Sequence, residues 1–267
     1  MDPDEQGAFF AAQGYLVIED LLAADEVAAC QREIDQLHRL AADLEASGDP
    51  KIRHFQREPF SREQTHNGLP ILRKIENTRA LSECFAQLAA HPRLVATVQN
   101  LLGEDLLLFR STLMLKPAFH GSAHTLHQDS AYWPMDPPDL VTISVALDDA
   151  TPDNGCIKVI PGSHHWGLRE WGHIAQDQGA PLTSREDIDL SAQIDVPLKA
   201  GSAVLFHSLM VHGSGPNQTG RSRNTALYAY FSPLVRYTPG EVGPREKSFP
   251  VISGLGGKRE HTLVASC

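Results

Sequence analysis

The spacing of hydrophobic positions changes about two-fifths of the way along the chain. Between Ala24 and Ala46, apolar residues recur at helical intervals through Val27, Cys30, Ile34, Leu37 and Leu40, and Gly48-Asp49-Pro50 stops the run. A shorter helix over 4–13 precedes it, followed by the β-like Tyr15-Leu16-Val17-Ile18. Ser82 is placed to cap a helix carrying Cys84, Phe85 and Leu88, and Pro92 opens another that runs through Leu94, Val95 and Val98 to Gly103. From Leu106 onward, short apolar and β-branched runs alternate with Gly, Pro, Asn and Asp clusters, which predicts strands over 106–116, 124–129, 140–148, 156–160, 194–197, 203–207, 210–212 and 225–232. Asp153-Asn154-Gly155 and Lys199-Ala200-Gly201-Ser202 supply turns between them.

About eight short strands behind a helical front end point to a mainly β fold with α. The pattern fits a jelly-roll or another closed sandwich with N-terminal helices packed on it, rather than an α/β sheet. No repeat or low-complexity tract divides the chain. The expected organisation is a single domain over 1–267, mainly helical over 1–105 and jelly-roll over 106–235. The longest weak connection, 166–191, is a possible lid.

Composition narrows the function. The 267 residues carry 23 Lys and Arg against 33 Asp and Glu, a formal charge of −10, which argues against a nucleic-acid partner. No stretch reaches the ~18 apolar residues of a membrane span and the start is acidic, so a soluble, cytoplasmic protein is expected. Cys30, Cys84, Cys156 and Cys267 lie far apart and are expected to be buried free thiols.

The densest chemical signal is His127-Gln128-Asp129, with His212 83 residues after the aspartate. On a strand, positions i and i+2 share a face, so the imidazole of His127 and the carboxylate of Asp129 converge. His212 is the best supplier of a third ligand. Two histidines and one carboxylate form a facial set that leaves open positions on a non-haem Fe(II). Arg223 then leads into an apolar strand, where a guanidinium is costly unless it meets an anion such as a carboxylate. Three protein ligands leave three positions of an octahedral ion open.

In these features the chain resembles the phytanoyl-CoA dioxygenase (PhyH-like) group of Fe(II)- and 2-oxoglutarate-dependent oxygenases. The resemblance runs from Gly14 to Ser232. It rests on Gly14-Tyr15-Leu16-Val17, Leu115-Lys116-Pro117, His127-Gln128-Asp129 with Tyr132, Asp153-Asn154-Gly155-Cys156, Pro161-Gly162-Ser163-His164, and His212-Gly213-Ser214-Gly215 with Arg223 eleven residues after the histidine. It implies a double-stranded β-helix with iron held by His127, Asp129 and His212. It also implies that 2-oxoglutarate chelates the metal and sets its far carboxylate on Arg223, helped by Ser214, with Lys74 and Thr112 as further co-substrate contacts. The reaction implied is dioxygen-dependent decarboxylation of 2-oxoglutarate to succinate and CO2, coupled to hydroxylation or other oxidation of a substrate C–H bond. Related halogenases resemble the pattern with a small residue in place of Asp129, so its presence favours hydroxylation.

Competing residues have simpler roles. His120, His124, His164, His165 and His207 are expected to be structural, Arg221 to be a decoy for Arg223, and Asp136, Asp139, Asp148 and Asp149 to be solvated loop carboxylates. Tyr132, Trp133 and Trp166 are candidates for lining a substrate pocket. A small-molecule substrate is expected, moderately apolar or zwitterionic, since the net charge weighs against a highly anionic one. The alternative is a non-oxidative, cupin-like metalloprotein acting as an isomerase or ligand-binding module. Such a protein has no need of a cation beside the third ligand.

Overall fold

Alternation within single strands decides the architecture. Along Leu140–Ala146, Val141, Ile143 and Val145 enter one hydrophobic core while Thr142 and Ser144 line a cavity on the opposite face. Along Arg223–Phe231, Ala226, Tyr228 and Tyr230 join that same core, whereas Arg223, Thr225, Leu227 and Ala229 face the cavity. Each strand therefore covers a helical layer with one side and builds a site with the other.

The computed structural model describes residues 1–176, 182–183 and 185–265, so Cys267 and the middle of the expected lid lie outside the described residues. The helices are α1 (Pro3–Gln13), α2 (Ala24–Ser47), α3 (Thr78–Leu81), α4 (Glu83–Ala89) and α5 (Pro92–Leu102). The strands that build the site are β1 (Tyr15–Ile18), β2 (Leu72–Glu76), β3 (Leu106–Lys116), β4 (Ala123–His127), β5 (Leu140–Ala146), β6 (Ile157–Val159), β7 (Ile194–Val196), β8 (Ala203–His207), β9 (His212–Ser214), β10 (Arg223–Phe231), β11 (Glu246–Ser253) and β12 (Glu260–Val264).

Among the described residues, the larger sheet runs β1-β8-β5-β10-β3-β11-β12, with β2 also pairing β3, and the smaller one contains β4-β9-β6-β7. All of these pairs are antiparallel. The two sheets form the jelly-roll, and the cavity between them takes residues from both.

Helix α2 presents Val27, Cys30, Ile34, Leu37, Ala41 and Leu44 to the larger sheet and ends at Gly48 in the left-handed conformation, as the periodicity predicts. Tyr228 and Tyr230 are fully buried, and their hydroxyls donate to the carbonyls of Phe85 (3.0 Å) and Ala89 (2.8 Å), tying β10 to α4. Burying one such aromatic side chain stabilises the fold by about 1.5–3 kcal/mol. Cys30 and Cys156 are buried free thiols, and Cys84 is half-buried with its Sγ 3.8 Å from that of Cys30.

Three expectations change. The strand expected over 124–129 ends at His127, because the Ala131 N–H donates to the Gln128 carbonyl (3.1 Å) and the chain turns into the 3-10 segment Asp129–Tyr132. His212 opens its strand instead of closing it. The larger sheet also draws β1, β2, β11 and β12 from outside 106–235. β2 escapes pattern recognition because three of its five residues, Arg73, Lys74 and Glu76, are charged, and two of these line the cavity.

Candidate active site

His127 and His212 are direct cross-strand partners on β4 and β9, with ring centroids 4.3 Å apart. Asp129, just past the end of β4, brings Oδ1 within 3.6 Å of His127 Nε2 and 3.9 Å of His212 Nε2. One donor atom from each of the three residues lies within 4.8 Å of the other two, close enough to surround a single ion. The convergence expected from a shared strand face is thus achieved by a strand end and the turn after it.

The surrounding hydrogen bonds orient the donors. His127 Nδ1 lies 2.7 Å from the Thr125 carbonyl and His212 Nδ1 lies 3.0 Å from the Met210 carbonyl. A carbonyl only accepts, so each Nδ1 carries the proton and each Nε2 lone pair faces the shared point. Thr142 donates to Asp129 Oδ2 at 2.9 Å, leaving Oδ1 for a cation. Burial opposes ionisation of Asp129, but the adjacent His127 and His212 rings and the Thr142 hydroxyl outweigh it and hold the carboxyl at about 2. Burial, reinforced by His127, lowers His212 to about 4. At neutral pH, Asp129 is ionised and His212 neutral, the states in which they ligate a metal.

Arg223 opens β10 and is buried on the wall of the same cavity of about 290 Å³. It donates to the Gly155 carbonyl (2.6 Å) and to Thr225 Oγ1 (3.3 Å), while Nε has no partner. Burial lowers its pKa to about 10. A desolvated guanidinium joined only to neutral acceptors fits an anionic ligand. Thr112 Oγ1, Ser144 Oγ and His124 Nδ1 are also buried without partners on this cavity. The orphaned donors and the metal-facing triad fit a chelating dicarboxylate.

The backbone accommodates this crowding through glycine. Gly155 has φ +82°, and a Cβ there would fall 2.4 Å from the Gly215 carbonyl. Ser214 lines the cavity at the end of β9, next to Gly215, whose carbonyl accepts a 2.6 Å bond from buried Lys116.

The other expected residues separate clearly. Lys74 and Thr112 line the cavity, with Lys74 paired to Glu76 at 2.6 Å. Trp133 lines it as well, packed 4.9 Å from Phe109. Tyr132 lies outside it, donating to the Gly172 carbonyl at 2.7 Å, and Trp166 carries the Arg169 guanidinium 4.6 Å over its ring without lining the cavity.

His120, His164 and His207 hold structural positions against Ser61 Oγ, the Ala11 carbonyl and Asp139 respectively. Asp148 is not a solvated carboxylate: it accepts from the Gln31 side chain and the Asn224 N–H. His124, expected to be structural, stands on the cavity wall, and Arg73, Arg110, Thr142 and Ser144 beside it escape sequence reading. For the last two a signal exists, because they are polar positions two apart in an otherwise apolar strand.

Comparison with known proteins shows the family. The sequence model of the phytanoyl-CoA dioxygenase (PhyH) family matches residues 10–225. The ectoine dioxygenase of Nocardia farcinica is 31% identical over 244 residues, covering 85% of this chain and 77% of that one. A probable alpha-ketoglutarate-dependent hypophosphite dioxygenase of Stutzerimonas stutzeri is 26% identical over 230 residues, covering 85% and 77%. Among solved structures, EctD from S. alaskensis with bound Fe superposes with a TM-score of 0.68 at 28% identity, covering 90% of this chain and 80% of that one. No helix among the described residues is long and apolar enough to cross a membrane. The chain belongs to the phytanoyl-CoA dioxygenase family and is an Fe(II)- and 2-oxoglutarate-dependent dioxygenase acting on a small molecule.

Proposed function

We propose that His127, Asp129 and His212 hold the iron, that Arg223 and Ser214 hold the far carboxylate of 2-oxoglutarate, and that the product is a hydroxylated metabolite. The observation that carries this reading is the pairing of a metal-facing triad with a buried guanidinium lacking a carboxylate partner, on one cavity. When bound, iron and 2-oxoglutarate supply the activation of dioxygen, with succinate and CO2 as by-products.

The chain's own residues do the remaining work. The carbonyls of Thr125 and Met210 fix both imidazole tautomers, and Thr142 fixes the carboxylate. Phe206 packs 4.4 Å from the His212 ring and shields that side from water. Thr112 Oγ1 and Arg223 Nε are free to donate to a bound dicarboxylate, and Lys74 stands on the same wall. Trp133 and Leu227 offer apolar surface to hold the C–H bond to be oxidised. The retained Asp129 keeps a coordination position that a halide would need, which favours hydroxylation. A cytoplasmic location belongs to the same reading and is supported by the free thiols.

The test is 2-oxoglutarate turnover. Succinate formation should require Fe(II), dioxygen and a co-oxidised substrate, and should fall to background in D129A. Binding of 2-oxoglutarate to the Fe(II) protein under argon should produce a visible charge-transfer band in the wild type and weaken strongly in R223Q. Metal binding without that band would favour the non-oxidative, cupin-like alternative.

A further inference from the structure

Beside the metal-facing cavity lies a second hollow of about 450 Å³, and Arg110, Thr112 and Trp133 line both. Two further cations, Arg79 and Lys247, stand on its wall. Lys247 Nζ lies 5.1 Å from the ring centroids of Phe109 and Phe249 and 5.9 Å from that of Tyr237, so aromatic surface takes the place of part of its hydration. Burial, and then the positive charge of Arg110, favour loss of its proton, and no carboxylate among the described residues offsets them.

The acidic residue lining this hollow is Glu76, and it is already shared: its Oε1 accepts from Lys74 Nζ at 2.6 Å and from Arg110 at 3.0 Å. Arg110 and Lys247 therefore repel each other across a recess with too little negative charge to balance them. This occurs in a protein whose formal charge is −10. Net charge is a sum over the whole chain, whereas a ligand meets the local field.

We propose that this hollow receives an anionic group of the substrate, a carboxylate or a phosphate held by Arg110 and Lys247, while the substrate's apolar part passes Trp133 and Thr112 toward the metal ligands. The inference rests on the dioxygenase reading and adds a substrate class to it. The enzyme selects oxyanion-bearing metabolites over their neutral counterparts, in contrast to the apolar or zwitterionic substrate that net charge suggests. A guanidinium supplies two donors to an oxyanion, and the aromatic-backed ammonium supplies a point charge, so removing either should weaken binding without removing the pocket.

The experiment uses the full chain loaded with Mn(II) and 2-oxoglutarate and titrated by calorimetry with 3-phenylpropionate, phenethyl phosphate and the neutral 3-phenylpropionamide. Each protein is first loaded with Fe(II) under argon to record the 2-oxoglutarate charge-transfer band. At least one anion should bind about tenfold or more tightly than the amide, and whichever anion binds better identifies the group. R110Q and K247Q should each weaken that anion about tenfold, leave the amide unchanged, and flatten the dependence of affinity on salt. Equal binding of acid and amide, unchanged anion affinity in both variants, or no anion binding while the band is present would each overturn the proposal. Absence of the band in the wild type would instead overturn the dioxygenase reading on which it rests.

Discussion

Gln128 accepts a hydrogen bond of 3.0 Å from the indole N–H of Trp171. The same Oε1 accepts from the Arg169 N–H at 2.8 Å, while Nε2 donates to the carbonyls of Gly167 and Leu209, each at 2.8 Å. All four hydrogen-bonding positions of this buried amide are used. Because Gln128 stands between His127 and Asp129, it clamps the start of the 166–191 connection onto the loop that carries two of the candidate metal ligands. Gln128→Leu leaves partners unpaired in a desolvated place, at a cost of about 2–4 kcal/mol. Urea unfolding should show that loss, and limited proteolysis should cut faster within 167–176. An unchanged urea midpoint with unchanged cleavage would exclude the clamp.

Thr142 does for Asp129 what the two backbone carbonyls do for the histidines. Thr142→Val removes the 2.9 Å bond to Oδ2 and frees the carboxylate to rotate, while nearly preserving side-chain volume. Metal affinity should drop about 10–100-fold, the usual effect of losing an outer-shell partner. Titration with Co(II) as a spectroscopic substitute measures it directly, and His212→Ala serves as the null. Affinity in T142V within twofold of wild type would show that the hydrogen bond does not orient the ligand.

The convergence of the triad and the burial of Arg223 beside it were legible because histidine, aspartate and arginine at the ends of apolar runs have few structural uses; His127, His212 and Arg223 lie at strand ends and Asp129 in the turn just after one. The helices were equally readable, since α2 keeps its apolar residues on one stripe from Val27 to Leu44. The basis for pairing His127 with Asp129 was different from the one expected, because alternation cannot reveal where a ladder stops and a turn begins. The second hollow was illegible for a stronger reason. Arg110 and Lys247 are 137 residues apart in sequence, and Glu76 lies on a third strand, so only tertiary packing creates their juxtaposition. In the sequence each reads as an ordinary exposed charge.

Arg223 should stabilise the liganded protein and burden the free one. Its guanidinium is buried against neutral acceptors, and burial has already lowered its pKa to about 10. Replacing such a cation with an apolar side chain of similar length is often neutral or stabilising. Arg223→Met is therefore expected to match or exceed the wild-type melting temperature without 2-oxoglutarate. Only the wild type should gain when 2-oxoglutarate is added to the Mn(II)-loaded protein, because stabilisation by a ligand requires binding to the folded state. Differential scanning calorimetry on both proteins, with and without co-substrate, checks this. A ligand-dependent shift of equal size in R223M would remove Arg223 from the co-substrate site.

Acid should begin to destabilise the metal-free protein above the ordinary carboxylate range. Burial lowers His212 from 6.5 to about 4 and holds His124 well below its ordinary value, with nearby cations adding to the effect. Between about pH 6.5 and pH 4 the unfolded chain binds protons at these positions and the folded chain does not, so stability falls as pH falls across that window and levels off below the folded-state values. The His212 difference alone corresponds to about 3 kcal/mol. The shift of Asp129 acts lower, between its ordinary 3.8 and about 2, and does not overlap the histidine window. Urea midpoints measured from pH 7 to pH 4 in the presence of a chelator should decline smoothly, and His124→Gln should flatten the slope. Saturating Mn(II) should hold the midpoint up at the neutral end and lose its effect toward pH 4, where protons compete for His212. A metal-free midpoint that stays constant from pH 6.5 to pH 4 would mean that these imidazoles are hydrated in solution.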